Sequence, residues 1–283
     1  SNIPHYQGLP SVLHDHGYRN LFFMTHESQY DNMNAFLRTN GYDDIYAQEN
    51  YPRKEVVNSF GVPDHFLYRY ALQKLQQQKQ PFMATLLSIS NHPPYVIPEW
   101  FHANSEEEEL QIVEYADDAL RIFFKQAAEQ PWYGNSVFVL LGDHGKLTGT
   151  PECEMPQCLN HIPLIIYAPG LPAEEIDSWC MQMDVQPTLL SLLGIRAEQE
   201  HFGQNILQKP RSMALYTADN MIGARSDGHL YIYEPGTGTE WFYKSAADNK
   251  VVYCEEPDST LLHMKRTLFS TLQTAQEEIK KHE

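Results

Sequence analysis

The chain has 283 residues, and its 37 acidic side chains outnumber its 20 lysines and arginines, giving a formal net charge of -17 at pH 7. This charge argues against a nucleic-acid backbone or an anionic membrane surface as the main partner. Hydrophobic residues make up 42% of the sequence, enough for a sizeable core, which excludes a disordered chain. The length predicts one large domain, or one domain with an appendage.

Helices and apolar strands alternate through the first part of the sequence. The predicted helices cover about 9–16, 65–78 and 107–129, and the predicted strands cover 20–25 (NLFFMT), 82–90 (FMATLLSIS), 136–141 (SVFVLL) and 163–168 (PLIIYA). Near-continuous apolar runs are typical of strands buried on both faces. The alternation therefore predicts an α/β fold with a doubly wound, mainly parallel sheet.

The pattern changes after a short helix at 186–193. Asp227-Gly228 is a typical hairpin turn between two strands of a small antiparallel group. The predicted elements of this part are strands over 213–217, 221–225 and 229–233 and a terminal helix over 258–281. We therefore predict an α/β core over residues 1–209 and a small antiparallel α+β subdomain over residues 210–283.

Polar side chains follow three of the predicted strands directly. His26 comes after the first strand, Asn91 and His92 after the second, and Asp143 and His144 after the third. Ligands of open α/β sheets bind at the carboxyl ends of the strands, so these residues form the candidate site. Asp143 and His144 supply an oxygen and a nitrogen, and flanking glycines let a ligand approach. We favour metal ligation over a simple hydrogen-bonded turn.

The other histidines have more than one interpretation. His92 would polarise or protonate a substrate oxygen, with Pro93-Pro94 stiffening its loop, or else be a core histidine bonded to a backbone carbonyl. For His26, a substrate contact and a core position both stay open. His161 lies at the amino end of the fourth strand and would reach the site only if the loop 145–160 folds back over it.

The four cysteines are too few for a disulfide scaffold. The spacing of Cys153 and Cys158 is not that of a zinc knuckle. A local disulfide between these two residues is left open.

Several motifs occur in an order and spacing that resemble a known family. Those that resemble the sulfatase branch of the alkaline phosphatase superfamily are 139–145 (VLLGDHG), 160–170 (NHIPLIIYAPG) and 183–195 (MDVQPTLLSLLGI). Those similar to the extracytoplasmic domain of lipoteichoic acid synthases and related phosphoglycerol transferases are 41–43 (GYD), 61–64 (GVPD) and 90–95 (SNHPPY). The resemblance covers about residues 9–207, and residues 208–283 match only loosely.

The resemblance implies a fold, a reaction and a set of site residues. A threonine nucleophile, activated on one divalent metal (Mn²⁺, Mg²⁺ or Zn²⁺), would take a phosphoglycerol group from a phosphodiester and pass it to an acceptor. Asp143 and His144 match metal ligands, and His92 matches a histidine that contacts the substrate phosphate. His26, Asn91 and His161 are expected to bind substrate. The expected substrate is an anionic phospho- or sulfo-ester, for example a lipid headgroup.

The sequence also departs from that family. The tryptophan and arginine that follow the pocket histidine in lipoteichoic acid synthases have no counterpart in residues 30–33 (YDNM). No segment matches the family's early glutamate ligand and nucleophile, and no Cys-x-Pro-x-Arg sulfatase motif is present. We therefore expect the C-terminal portion of such an enzyme, inactive alone and with an incomplete metal site.

The same resemblance leads to expectations about location and assembly. We expect the parent protein to be anchored in the cytoplasmic membrane with this domain on the outside. A face left open by the missing segment would allow a homodimer. Two alternatives to phosphoglycerol transfer stay open. One is sulfate-ester hydrolysis, and the other is a non-catalytic binding module that keeps the fold without turnover.

Overall fold

Two structural units make up the chain, residues 1–136 and residues 137–283. The computed structural model describes residues 3–198, 201–245 and 250–281. Parallel strands lie in the first unit and antiparallel strands in the second, and both units contain helices, so the chain has an α/β fold. Within the described residues, no helix is both long and apolar enough to cross a membrane.

The first unit is built on a parallel sheet with the strand order β2-β1-β3. Its strands are β1 (Arg19–Met24), β2 (Asp44–Tyr46) and β3 (Phe82–Leu87), and its α-helices are α1 (Leu9–Asp15), α2 (Met33–Thr39), α3 (Asp64–Leu75) and α4 (Glu108–Ala127). The register places Met24 opposite Leu87, so β1 and β3 end at the same edge of the sheet. α2 and β2 were not predicted from the sequence.

The central strand β1 carries the core of this sheet. Its residues from Asn20 to Met24 are buried, and Phe22 and Met24 pack with Leu37 of α2 and Ala47. β3 is only half-buried along its length. The expectation that this apolar run is buried on both faces is therefore wrong for β3, because β3 lies at an edge of the three-stranded sheet.

The second unit contains two antiparallel sheets. Its elements are β4 (Phe138–Leu141), β5 (Leu164–Tyr167), α5 (Val185–Leu192), β6 (Met213–Ala218), β7 (Met221–Ser226), β8 (His229–Glu234), β9 (Thr239–Ser245), β10 (Val251–Tyr253) and α6 (Ser259–Lys281). β4 pairs with β5, and the other strands form a five-stranded sheet in the order β10-β9-β8-β7-β6. The predicted hairpin at Asp227-Gly228 joins β7 to β8.

The five-stranded sheet is covered on both faces. Tyr231 of β8 packs with Leu261 and Met264 of α6, all of them fully buried. The neighbouring residue Leu230 points to the other face, as successive residues of a strand do, and packs there with Met155. The loop between β4 and β5 therefore covers the face of this sheet opposite to α6.

Candidate active-site loops

The first unit places His26, Asn91 and His92 beyond the carboxyl ends of β1 and β3. His26 is buried, with 7% of its surface exposed, and its ring lies 5.0 Å from that of Tyr30. Asn91 and His92 are exposed to solvent. The interpretation of His92 as a core histidine is therefore excluded, whereas the burial of His26 fits a core position.

Residues 58–61 hold both of these loops. The ring of Phe60 lies 4.3 Å from the His92 imidazole, and the Asn58 side chain donates a hydrogen bond to the Pro94 carbonyl oxygen at 3.2 Å. Gly61 has φ +95°, and a Cβ there would lie 1.8 Å from the Thr25 carbonyl oxygen and 2.9 Å from the His26 nitrogen. Only glycine allows this approach, so a tight turn ties the His26 and His92 loops together.

The second unit places Asp143 and His144 on the turn that follows β4. Asp143 Oδ1 accepts a hydrogen bond from the His144 backbone nitrogen at 2.8 Å. Asp143 Oδ2 lies 3.7 Å from His144 Nε2, and the two side chains are 76% and 71% exposed. Gly145 donates its N–H to the Leu159 carbonyl oxygen at 2.8 Å, and a Cβ there would lie 1.9 Å from the Cys158 carbonyl oxygen. The turn is thus packed against the end of the β4–β5 loop.

His161 lies at the same edge as this turn. β5 runs antiparallel to β4, with Leu141 opposite Leu164, so the amino end of β5 meets the carboxyl end of β4. The bond from Gly145 to Leu159 brings the chain back to that edge two residues before His161. The direction of β5 thus places His161 at the sheet edge that carries the Asp143-His144 turn, and Met155 anchors the intervening loop.

The candidate histidines on these loops share one hydrogen-bonding pattern. His26 Nδ1 lies 3.0 Å from the Glu27 carbonyl oxygen, His92 Nδ1 lies 2.6 Å from that of Pro93, and His144 Nδ1 lies 2.8 Å from that of Gly145. A carbonyl oxygen only accepts, so in each case Nδ1 carries a proton and the bond fixes the ring. Nε2 is left for another partner, and in His92 and His144 the side chain is exposed.

Asp143 and His144 fit two positions around one metal ion. Ligands at ~2.1 Å from a tetrahedral ion lie about 3.4 Å from each other, close to the 3.7 Å between Asp143 Oδ2 and His144 Nε2. An oxygen and a neutral imidazole nitrogen also suit zinc or manganese. Among the residues that the structure describes, no group of three or more His, Cys, Asp or Glu side chains could hold a metal ion. Among the described residues this pair supplies two of the ligands that a metal site needs.

Two further residues support the Asp143-His144 turn and were not singled out from the sequence. The Gln182 side chain donates hydrogen bonds to the carbonyl oxygens of Gly142 and Asp143. Met181, the residue before Gln182, donates its backbone nitrogen to the buried carboxylate of Asp184, which also accepts a bond from the Arg211 guanidinium. Gln182 directly precedes the motif 183–195. This position next to the motif is the only feature of the sequence that points to its role at the turn.

The four cysteines are free thiols. Cys153 donates a hydrogen bond to the Met155 carbonyl oxygen at 3.1 Å, and burial raises the pKa of its thiol to about 11. The structure therefore holds no disulfide between Cys153 and Cys158.

Comparison with solved structures gives the class of protein that this fold and these loops define. The chain is similar to a protein of the alkaline phosphatase superfamily from Vibrio parahaemolyticus, with a TM-score of 0.83 and 26% identity over 97% of this chain and 68% of that one. It has the fold of the lipoteichoic acid synthase LtaP from Listeria monocytogenes, with a TM-score of 0.78 and 23% identity over 99% of this chain and 74% of that one. The class is thus the alkaline phosphatase superfamily.

Sequence comparison then gives the family. Residues 1–195 match the family model described as Sulfatase, and the chain belongs to the sulfatase family. It is 27% identical over 258 residues to lipoteichoic acid synthase 1 of Bacillus subtilis. The match covers 82% of this chain and 40% of that relative. Lipoteichoic acid synthase 2 of the same organism is 24% identical and is covered over 35% of its length. The chain thus spans well under half of these relatives.

Proposed function

We propose that this chain belongs to a metal-dependent enzyme that transfers a phosphoglycerol group from a phosphodiester to an acceptor, outside the cytoplasmic membrane. The observation that carries the proposal is the Asp143-His144 turn, in which Asp143 Oδ2 and His144 Nε2 lie 3.7 Å apart, at the sheet edge where β5 begins. The similarity to proteins named lipoteichoic acid synthase supports the substrate class.

The residues of the second unit would hold the metal. Asp143 would bind through Oδ2 and His144 through Nε2, because Asp143 Oδ1 and His144 Nδ1 are already hydrogen-bonded within the turn. When bound, a divalent ion supplies positive charge that polarises an ester oxygen and activates a nucleophile. His161 lies at the same edge, where its imidazole N–H would add a donor for an anionic group.

His92, a residue of the first unit, is a candidate for contact with an ester oxygen. Its Nδ1–H bond to Pro93 and its contact with Phe60 fix the direction of the ring. Because Nδ1–H is bonded to Pro93, Nε2 would donate a hydrogen bond or its proton to an ester oxygen from the imidazolium form, and this would stabilise the negative charge that develops in the transition state. Asn91 next to it carries an amide donor that also suits phosphate oxygens.

The test compares variants of the complete gene product on a glycerophospholipid. We expect activity that EDTA removes and Mn²⁺ or Zn²⁺ restores. His92→Ala should lower kcat/KM by about 100-fold or more, the usual size of a general acid–base contribution. Asp143→Asn should raise the metal concentration that gives half-maximal activity. His102→Ala, at an exposed histidine of the same unit as His92, should retain activity.

Sulfate-ester hydrolysis is the second candidate. It is favoured by the family model, described as Sulfatase, and by residues 30–33 (YDNM), which lack the tryptophan and arginine of lipoteichoic acid synthases. An aryl sulfate assayed beside the phosphodiester separates the two reactions. A complete protein that is inert on both ester classes would contradict both candidates and favour a binding module.

A further inference from the structure

Asp64, the first residue of α3, is a buried carboxylate bound to the loop that carries His92. It is 2% exposed. Its Oδ1 accepts hydrogen bonds from the backbone nitrogens of Ile89 at 3.0 Å and Ser90 at 3.1 Å, and its own nitrogen donates to Ser90 Oγ at 3.2 Å. These three bonds end two residues before His92.

Tyr115 of α4 ties the start of α3 to its neighbouring helix. Tyr115 is fully buried, and its hydroxyl accepts a hydrogen bond from the His65 nitrogen at 3.3 Å and lies 2.6 Å from His65 Nδ1. His65 directly follows Asp64, so the residue that binds the His92 loop lies at a helix end fixed by α4. Asp64 is the group that binds the backbone of residues 89 and 90 directly.

The same segment also holds the chain after His92. Asn58 binds the Pro94 carbonyl oxygen, and Phe60 packs on the His92 ring. The loop is thus fixed on both sides of His92 by residues 58–64, and His92 itself extends into solvent. Burial raises the pKa of the Asp64 carboxyl, and the hydrogen bonds from Ile89 and Ser90 lower it. A carboxyl kept in such a buried position, with each bond directed at one loop, fits a group that sets geometry.

We propose that Asp64 is a positioning residue for His92, acting through the backbone nitrogens of Ile89 and Ser90. The inference rests on the proposed function of His92 at the substrate ester. A catalytic group must be held close to its productive geometry, and small displacements lower the rate. Asp64 would accordingly affect the chemical step more than the binding of substrate.

The geometry also identifies the conservative variant. Both loop nitrogens donate to a single oxygen, Oδ1, so the amide oxygen of asparagine can take its place in Asp64→Asn. Asp64→Ala leaves both nitrogens without their acceptor. Asp117, an exposed carboxylate on α4, gives the matched control Asp117→Ala.

The first arm of the test measures kinetics in the complete gene product. We expect Asp64→Ala to lower kcat by 10- to 100-fold with a smaller change in KM, Asp64→Asn to stay within about 3-fold, and Asp117→Ala to match the unaltered protein. In a His92→Ala background, Asp64→Ala should have little further effect, because its action passes through His92. An equal loss with and without His92 would overturn the proposal.

The second arm of the test measures the structure of the His92 loop by hydrogen exchange and NMR and needs no activity. In the 283-residue chain, Asp64→Ala should speed hydrogen exchange at Ile89 and Ser90 at least 10-fold and shift the NMR signals of the His92 ring, and Asp64→Asn should do neither. Unchanged exchange and ring signals in Asp64→Ala would also overturn it. If Asp64→Ala does not fold, Asp64→Glu, which keeps the carboxylate and displaces the accepting oxygen by one methylene, decides by the same readouts. Loop effects in a protein inert on both esters would reject the proposed function and leave the positioning contacts supported.

Discussion

Gln182 donates a hydrogen bond from its side-chain amide to the carbonyl oxygen of Asp143 at 3.1 Å. The same amide nitrogen lies 3.2 Å from the Gly142 carbonyl oxygen, so one exposed side chain ties down the backbone that carries the proposed metal ligand. Gln182→Leu should therefore weaken metal binding and activity by 10- to 100-fold, the usual effect of losing an outer partner of a metal ligand. Calorimetric titration of the complete gene product with Mn²⁺ or Zn²⁺ measures the loss of metal affinity.

The control for this variant is Gln208→Leu, at another exposed glutamine of the same unit. Gln182 is itself exposed, so Gln182→Leu should change the free energy of unfolding by no more than about 0.5 kcal/mol. Metal affinity equal to that of the unaltered protein would show that the turn holds its shape without Gln182.

Arg211 and Asp184 form a buried ion pair that should dominate the stability of its surroundings. Asp184 is fully buried, and it accepts hydrogen bonds from Arg211 Nε and from the nitrogens of Met181 and Gln204, each at 2.7 Å. Arg211→Leu leaves this carboxylate without its charged partner, which costs about 3 to 5 kcal/mol for a buried pair. Urea unfolding followed by near-UV circular dichroism measures the loss.

An exposed pair gives the comparison. Arg19 Nε lies 2.8 Å from Asp44 Oδ2, and the Arg19 side chain is 54% exposed. Arg19→Leu should cost no more than about 1 kcal/mol, because water and salt screen surface ion pairs. Similar losses for the two arginine variants would contradict the assignment of Asp184–Arg211 as the stronger pair.

Gly61→Ala should destabilise the first unit far more than Gly17→Ala. Both glycines have positive φ, +95° and +80°, so each substitution costs about 1 to 2 kcal/mol in backbone strain. The new Cβ at Gly61 would also lie 1.8 Å from the Thr25 carbonyl oxygen, whereas that at Gly17 would meet nothing within 4 Å. Such overpacking adds about 1 to 3 kcal/mol. Thermal unfolding of the two variants gives the difference, and equal melting temperatures would contradict the close contact.

The sequence predicted the strands with long apolar runs and missed the shortest ones. β1, β3 and β4 lie within the predicted ranges to within one residue, because a short continuous apolar run bounded by turn residues predicts a strand. β2 has three residues, begins with the charged Asp44, and exists through its pairing with β1 and the Arg19 ion pair. Three residues show no period, so only the tertiary partner identifies this strand.

Strand direction was the other limit. The apolar run of β5 indicates a strand but not which way it runs, and a parallel β5 would have put His161 at the edge away from Asp143. The antiparallel pairing reverses that placement. The residues that support the site, Gln182 and Phe60, come from loops without a periodic pattern. Such contacts depend on the tertiary fold and cannot be deduced from spacing.

Cys153 should react with iodoacetamide in a way that depends unusually on pH. Burial raises the pKa of this thiol from 9.0 to about 11, and only the thiolate reacts. At pH 8 about 0.1% of such a thiol is ionised, compared with roughly 10% of a thiol of pKa 9. The alkylation rate of Cys153 should therefore rise about 10-fold per pH unit up to pH 10, whereas that of free N-acetylcysteine levels off near pH 9.

Peptide mapping by mass spectrometry measures the alkylation of Cys153, and the variant Cys153→Ser confirms which peptide is labelled. A profile that levels off at pH 9 would show that Cys153 is not buried in solution, and labelling of Cys153 and Cys158 only after reduction would show that the two are bonded.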